Sequence, residues 1–252
     1  KEHVVSVGSK NAQLGELGKL GFQVPEGFAF TAWAYKYFID THNLQEKIKK
    51  KIQKVNIKQQ NDLIRMSNEI QQMINSCPLP ESLETAITTE VKKLVERTQS
   101  TGFAIRSSAI GEDTSYSFAG QYSTYLNVHE KDISNIYKKV LISKFSPKAL
   151  YYLLSHELME SDFAMSVGCN NMVDSAVSGV IYTRDPVNAT SSNMIINSIF
   201  GLGKYLVDGT VTPDVYYLSS KEGIIIKDKI ARKTIRLVID NNGGVRKEKV
   251  PL

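Results

Sequence analysis

Two hydrophobic periods divide this chain, and the point where one gives way to the other does most to limit the folds open to it. From Thr31 to Thr98 apolar residues recur at helical spacing, through "AWAYKYFIDTH", "LQEKIKKKIQKV", "NDLIRMSNEIQQMINS" and "PESLETAITTEVKKLVERT". At "TGFAIRSSA" the pattern changes to short strand-like runs. "QYSTYLNV" alternates, and "DFAMSVGCNNMV", "SAVSGVIYTRDP", "NMIINSIFG" and "VTPDVYYLS" follow as further β-like segments. Two helices interrupt them, "KDISNIYKKVLISKF" and "SPKALYYLLSHELME", the second with Ser146 as cap and Pro147 as first residue. Ahead of the helical run, residues 9–21 read as a short helix with Gly21 as its stop, and "FQVPEGFAF" as turn and strand. Thr31 is expected to cap the next helix and Pro80 to open the last of the run. Helices first and a mixed sheet later predict an α+β chain in two lobes, with a cleft near residue 170.

A chain of 252 residues, 42% hydrophobic and 23% charged, has the material for one large domain or two close lobes. No apolar run approaches the about 20 residues of a membrane span, and "KEHVVSVGSK" has no signal-peptide core. The expectation is therefore a cytoplasmic protein without membrane contact. The start also lacks an initiator methionine, which suggests a fragment of something longer. Cys77 and Cys169 stand far apart and outside any CxxC pattern, which argues against a disulfide framework or a structural zinc. Much of the net charge of +5 lies in "EKIKKKIQKVNIK". No aromatic residues interleave with those lysines, so a solvated helix face is preferred to a nucleic-acid surface. Polyanionic ligands such as nucleotides are a third outlet for the charge.

Three segments hold candidate chemistry. "FAIRSSAIGEDTSYSFAGQY" places Arg106, Ser107 and Ser108 at a strand end, before a small, polar loop that closes on Gly120. Cations, hydroxyls and glycine-exposed N–H groups are what a polyphosphate needs. A strand–loop–strand hairpin with turn-capping serines and Arg106 paired to Glu112 or Asp113 accounts for the residues equally well. In "VGSKNAQLGEL", Lys10 follows a glycine turn at a helix start, where an anion would be met; surface decoration is the plainer reading, and the GxxxxGK[ST] spacing is absent. "GLGK" after an apolar run would admit a ligand or simply make a tight turn, and Leu206 replaces the last glycine of a dinucleotide fingerprint. Of the histidines, His3, His42, His129 and His156, the last follows Ser155 in "LLSHELM". Adjacent helical positions point to different faces, so a Ser-His pair is not expected.

Taken in order, these blocks resemble one family. "VGSKNAQLGELGKLGFQVPEGFAFTAWAYKYF" is similar to the opening of the nucleotide-binding domain shared by phosphoenolpyruvate synthase, pyruvate phosphate dikinase and the rifampicin phosphotransferases. "AIRSSAIGEDTSYSFAGQYSTYLNV" resembles its most recognisable signature, and "NNMVDSAVSGVIYTRDP" and "NMIINSIFGLGKYLVDGTVTPDVYYL" its next two blocks. The resemblance implies an ATP-grasp fold, with a lobe at 1–170 that includes the helical segment 40–100 and a second, incomplete lobe at 171–252. It implies ATP and Mg²⁺ as cofactors, and phosphoryl transfer to a histidine on a separate swivelling domain of the same longer polypeptide. A further acceptor-binding domain would pass the phosphate to pyruvate or a similar acceptor. By carry-over, Lys10 and Arg106 grip the triphosphate and stabilise charge during transfer. Gly120, Gln121 and Thr124 lie along the phosphate-covering loop, Asn170 sits near the adenine, and Met172 and Val173 flank the base at the hinge.

Departures from the family pattern accompany the match. The chain stops before the magnesium carboxylate and the "QxRP"-like strand, and the phosphorylatable histidine motif is absent. Lys204 stands in "GLGK" where an acid is usual, and Asn170 where a glutamine is usual. The first two features imply a nucleotide domain taken from a longer phosphotransferase and inactive in isolation. The two substitutions suit the alternative, a degenerate, non-catalytic nucleotide-binding regulatory module.

Overall fold

A computed structural model describes residues 3–110, 122–156, 164–188 and 190–250. Helix α1 (Val4–Lys19) leads to strand β1 (Gly27–Phe30), then α2 (Ala32–Thr41), α3 (Leu44–Ile52), α4 (Gln60–Ser76) and α5 (Glu81–Thr98). Strands β2 (Phe103–Ala109) and β3 (Thr124–Val128) follow, then α6 (Ile133–Ser143), α7 (Pro147–Ser155) and β4 (Met165–Asn171). The remainder comprises β5 (Val177–Tyr182), β6 (Asn193–Phe200), α8 (Lys204–Val207), β7 (Asp214–Ser219), β8 (Ile225–Lys229), β9 (Ile235–Ile239) and β10 (Val245–Lys249). The chain is thus α+β, and it separates into two compact units, Lys1–Met172 and Val173–Leu252.

The first unit is built on a four-stranded sheet in the order β1-β4-β2-β3. All its ladders are antiparallel, with Phe30 opposite Val167, Arg106 opposite both Gly168 and Thr124, and Ala104 opposite Asn170. Side chains alternate across a strand, so Phe103, Ile105, Ala109, Met165, Val167 and Cys169 share one face. That face joins Phe38, Leu44, Ile70, Leu94, Tyr137 and Phe145 from the helices in a single buried cluster. Burial pushes the Cys169 thiol up to about 12, as expected for a thiolate that would lose its water. The other face carries Ala104, Arg106 and Ser108 of β2 with Ser166, Gly168 and Asn170 of β4, and α1 packs there. Ser146 caps α7, its hydroxyl accepting from Ala149 N–H at 3.3 Å with Pro147 in the first turn. Thr31 holds the N-cap position of α2 in extended geometry but makes no side-chain cap bond.

The second unit holds an antiparallel sheet in the order β5-β6-β7-β8 and a separate β9–β10 hairpin. Of the "GLGK" glycines, Gly201 serves a close backbone approach here. Gly201 adopts φ 73°, pairs with Leu237, and has no room for a Cβ against the Leu237 carbonyl; Leu202 N–H donates to the same carbonyl at 2.8 Å. Lys204 pairs with Asp208 one helical turn on, at 3.0 Å. Lys233 and Asp214 form a buried ion pair, and Asp214 Oδ1 also accepts Ala231 N–H at 2.8 Å. No helix among the described residues is long and apolar enough to cross a membrane.

Candidate functional site

α1 is not one continuous helix. Gly8 interrupts it at φ 73°, ψ 164°, and the regular helix that bears Lys10 begins at Ser9. Only glycine suits the site, because the left-handed φ coincides with a packed contact: a Cβ on Gly8 would overlap the carbonyl and hydroxyl oxygens of Ser108. A helix that begins afresh needs acceptors for its first N–H groups. Gly8 has no side chain to offer one, and β2 supplies it instead, Ser108 Oγ accepting from Asn11 N–H at 3.4 Å. The Ser9 hydroxyl, buried in the same first turn, has no hydrogen-bond partner among the described residues.

Asn11 ties this turn to the next strand. Its Nδ2 donates to Val7 O at 2.9 Å and to Ser166 Oγ at 3.3 Å, and Ser166 Oγ in turn donates to Phe30 O at 2.8 Å. Asn11 Oδ1 lies over Gly168, which has no space for a Cβ beneath it. Gly168 is the cross-strand neighbour of Arg106. Arg106 is the one exposed residue in a strand buried on both sides of it. Its guanidinium makes no ion pair among the described residues, and desolvation by the surrounding protein lowers its pKa, though not to the point of neutrality. Thr124 is exposed and directly opposite Arg106 on β3. Lys10 is exposed in the first turn after the kink.

The expected site residues divide accordingly. Arg106, Thr124 and Asn170 lie on the sheet face that α1 covers, and Lys10 is on the helix packed against it. Asn170 Nδ2 donates to Pro25 O at 3.3 Å, and its side chain lines a cleft of about 430 Å³ bounded by α1, β1 and the turn before it. The walls are largely apolar, with Val7, Leu14, Val24 and Phe28; neither Lys10, Arg106 nor Thr124 lines it. Met172 is half-buried and its N–H donates to Gly102 O at 2.9 Å. Val173 is exposed and is the first residue of the second unit. Gly120, Gln121, Glu112 and Asp113 lie outside the described residues, so the hairpin reading of Arg106 has no structural counterpart among those described.

Two readings change. Ser107 and Ser108 are buried, and Ser108 is engaged with Asn11, so neither hydroxyl is presented to solvent. Ser155 and His156, expected on different faces, approach at 3.2 Å between Oγ and Nδ1. His156 is the C-cap of α7, where the helical turn no longer separates adjacent side chains, and both groups bond back to Tyr152 O. The pair is an exposed helix ending. Asn11 and Gly168 drew no attention in the sequence; a glycine within an otherwise apolar strand segment was the available sign of a close approach.

Comparison with known proteins identifies the family. The family model described as "Pyruvate phosphate dikinase, AMP/ATP-binding domain" matches residues 4–252. A probable phosphoenolpyruvate synthase of Staphylothermus marinus is 36% identical over 250 residues, covering 97% of this chain and 30% of the relative. The phosphoenolpyruvate synthase of Aquifex aeolicus is 36% identical over 252 residues, covering 94% and 29%. A probable phosphoenolpyruvate synthase of Archaeoglobus fulgidus is 35% identical, covering 100% and 34%. The chain therefore spans about a third of the length of these relatives. A family model matched over nearly every residue places the chain in the pyruvate phosphate dikinase AMP/ATP-binding domain family.

Proposed function

We propose that the chain is the ATP-binding part of a dikinase-type phosphotransferase of the phosphoenolpyruvate synthase kind, with an ATP-grasp fold. The observation that carries the reading is the placement of Arg106 opposite Thr124, on the sheet face against which the Lys10 helix begins. Phosphoryl transfer is chiefly positioning and neutralisation of charge on the transferring oxygens. A guanidinium without a carboxylate among the described residues, a helix N-terminus and a lysine in its first turn supply that chemistry. The Asn170 amide and the apolar cleft beside it suit a purine, with Met172 and Val173 at the edge of the base. Gly120 and Gln121 complete the phosphate cover in this reading.

Among the described residues no three His, Cys, Asp or Glu side chains gather to hold a metal. Magnesium keeps much of its water and binds through phosphate oxygens and one or two carboxylates. It enters this reading as the nucleotide's counter-ion, and the residues described do not form a cage for it. In a longer cytoplasmic polypeptide, one phosphoryl group of ATP would pass to a histidine of a swivelling domain and onward to pyruvate or a similar acceptor, with release of AMP and, by hydrolysis, of the remaining phosphate as inorganic phosphate.

Isothermal titration of the chain with ATP in the presence of magnesium tests the reading. Arg106→Ala and Lys10→Ala should each weaken binding by about tenfold to a hundredfold, the range for a lost hydrogen bond to a charged group at about 1.5–3 kcal/mol. Unchanged affinity in both variants would sink the assignment. In the longer enzyme the same substitutions should cost about 2–4 kcal/mol of transition-state stabilisation, read as slower AMP formation.

A further inference from the structure

One side chain joins the two cationic elements of the site without being a cation itself. Asn11 receives the helix start on one side, through Val7 O, and both central strands on the other, through Ser166 Oγ and, by its backbone N–H, Ser108 Oγ. Its Oδ1 rests over Gly168, the residue paired with Arg106, and Ser108 is two residues along β2 from Arg106 on the same face. The fit leaves no slack. A Cβ at Gly8 would meet the Ser108 backbone carbonyl and force the helix off β2, and one at Gly168 would displace the Asn11 amide from its place over the strand.

We propose that Asn11 is a positioning residue for phosphate recognition: it fixes the Gly8–Lys10 turn in register with Arg106, so that both cations meet one polyphosphate. The inference rests on the nucleotide reading above. Asn11 also borders the cleft assigned to the purine; the role proposed for it lies on the phosphate side, where it makes no contact with the ligand. It acts through Lys10, because a helix start free to shift would have to be ordered again each time an anion bound, at a cost in conformational entropy.

A double-substitution cycle read by ATP titration separates this role from ordinary packing. Asn11→Ala should weaken ATP binding by about tenfold in the otherwise native chain, yet by less than about twofold when Lys10→Ala is already present, since only coupled residues depart from additivity. Equal losses in both backgrounds would show a general structural role and overturn the proposal. So would native affinity in Asn11→Ala while Lys10→Ala binds weakly, a result that leaves the nucleotide reading standing. Absence of ATP binding by the unsubstituted chain would overturn both. If Asn11→Ala fails to fold, Ser108→Ala carries the test, because it removes the cap acceptor and leaves the Asn11 side chain in place. The same coupling with Lys10, at smaller size, is expected there, and additivity would again overturn the proposal.

Discussion

Tyr137, Phe38, Phe103, Phe145 and Ile105, fully enclosed and among the bulkiest side chains described, all belong to the unit Lys1–Met172. The unit Val173–Leu252 encloses Ile195, Ile199, Leu202, Val211 and Leu237, and leaves Val177, Ile181 and Phe200 exposed. The exposed set is not scattered. Val177 opposes Phe200 and Ile181 opposes Ile196 on one face of β5 and β6, while Ile195 and Ile199 are buried on the other. One unit has helices on the apolar face of its sheet; the other has an apolar face left open. A segment of that size buries a smaller fraction of its surface and depends more on individual polar contacts. The first unit is held by volume, the second by a few specific attachments.

The largest test of that contrast is a deletion in the dense core. Phe103→Ala should cost about 3–5 kcal/mol, as for other buried aromatic truncations. Trp33, the only tryptophan, stacks on Tyr37 within the first unit, so fluorescence during urea unfolding reads the loss there. A cost below about 1 kcal/mol would break the contrast. Next comes Lys233→Ala, which strands the buried Asp214 carboxylate and should destabilise the second unit by about 3 kcal/mol. Faster amide exchange in β7 and β9 is its signature, and unchanged exchange would mean that the unit does not rely on that pair. Smallest is Ser146→Ala, expected to cost about 1 kcal/mol as a lost N-cap. A thermal melt of that variant sharpens the picture: a dense unit should absorb the loss of a surface device without losing its cooperative transition.

What could be read beforehand depended on whether the cause was local. Ser146 and Pro147 state their own function, because a cap and a proline at a first turn need no distant partner. The glycine turn before Lys10 was equally visible, and the structure places it at Gly8. Asn11 was invisible for the opposite reason: its bonds reach β2 and β4, far along the chain, and nothing in "SKNAQ" announces them. Strand order was hidden too, since β4 comes late in the sequence and yet sits between β1 and β2. Ser155 and His156 meet because helical geometry does not continue through the final residue of α7.

The late arrival of β4 has a consequence for how the molecule is made. Among the described residues β4 is the one neighbour of β1 in its sheet, so Gly27–Phe30 must wait for Met165–Asn171 to leave the ribosome before it can form that ladder. At about 5–20 residues per second that interval is roughly seven to thirty seconds. Throughout it the nascent chain carries β1 without its partner, and the polar face that Arg106 shares with Gly168 cannot form until β2 and β4 lie side by side.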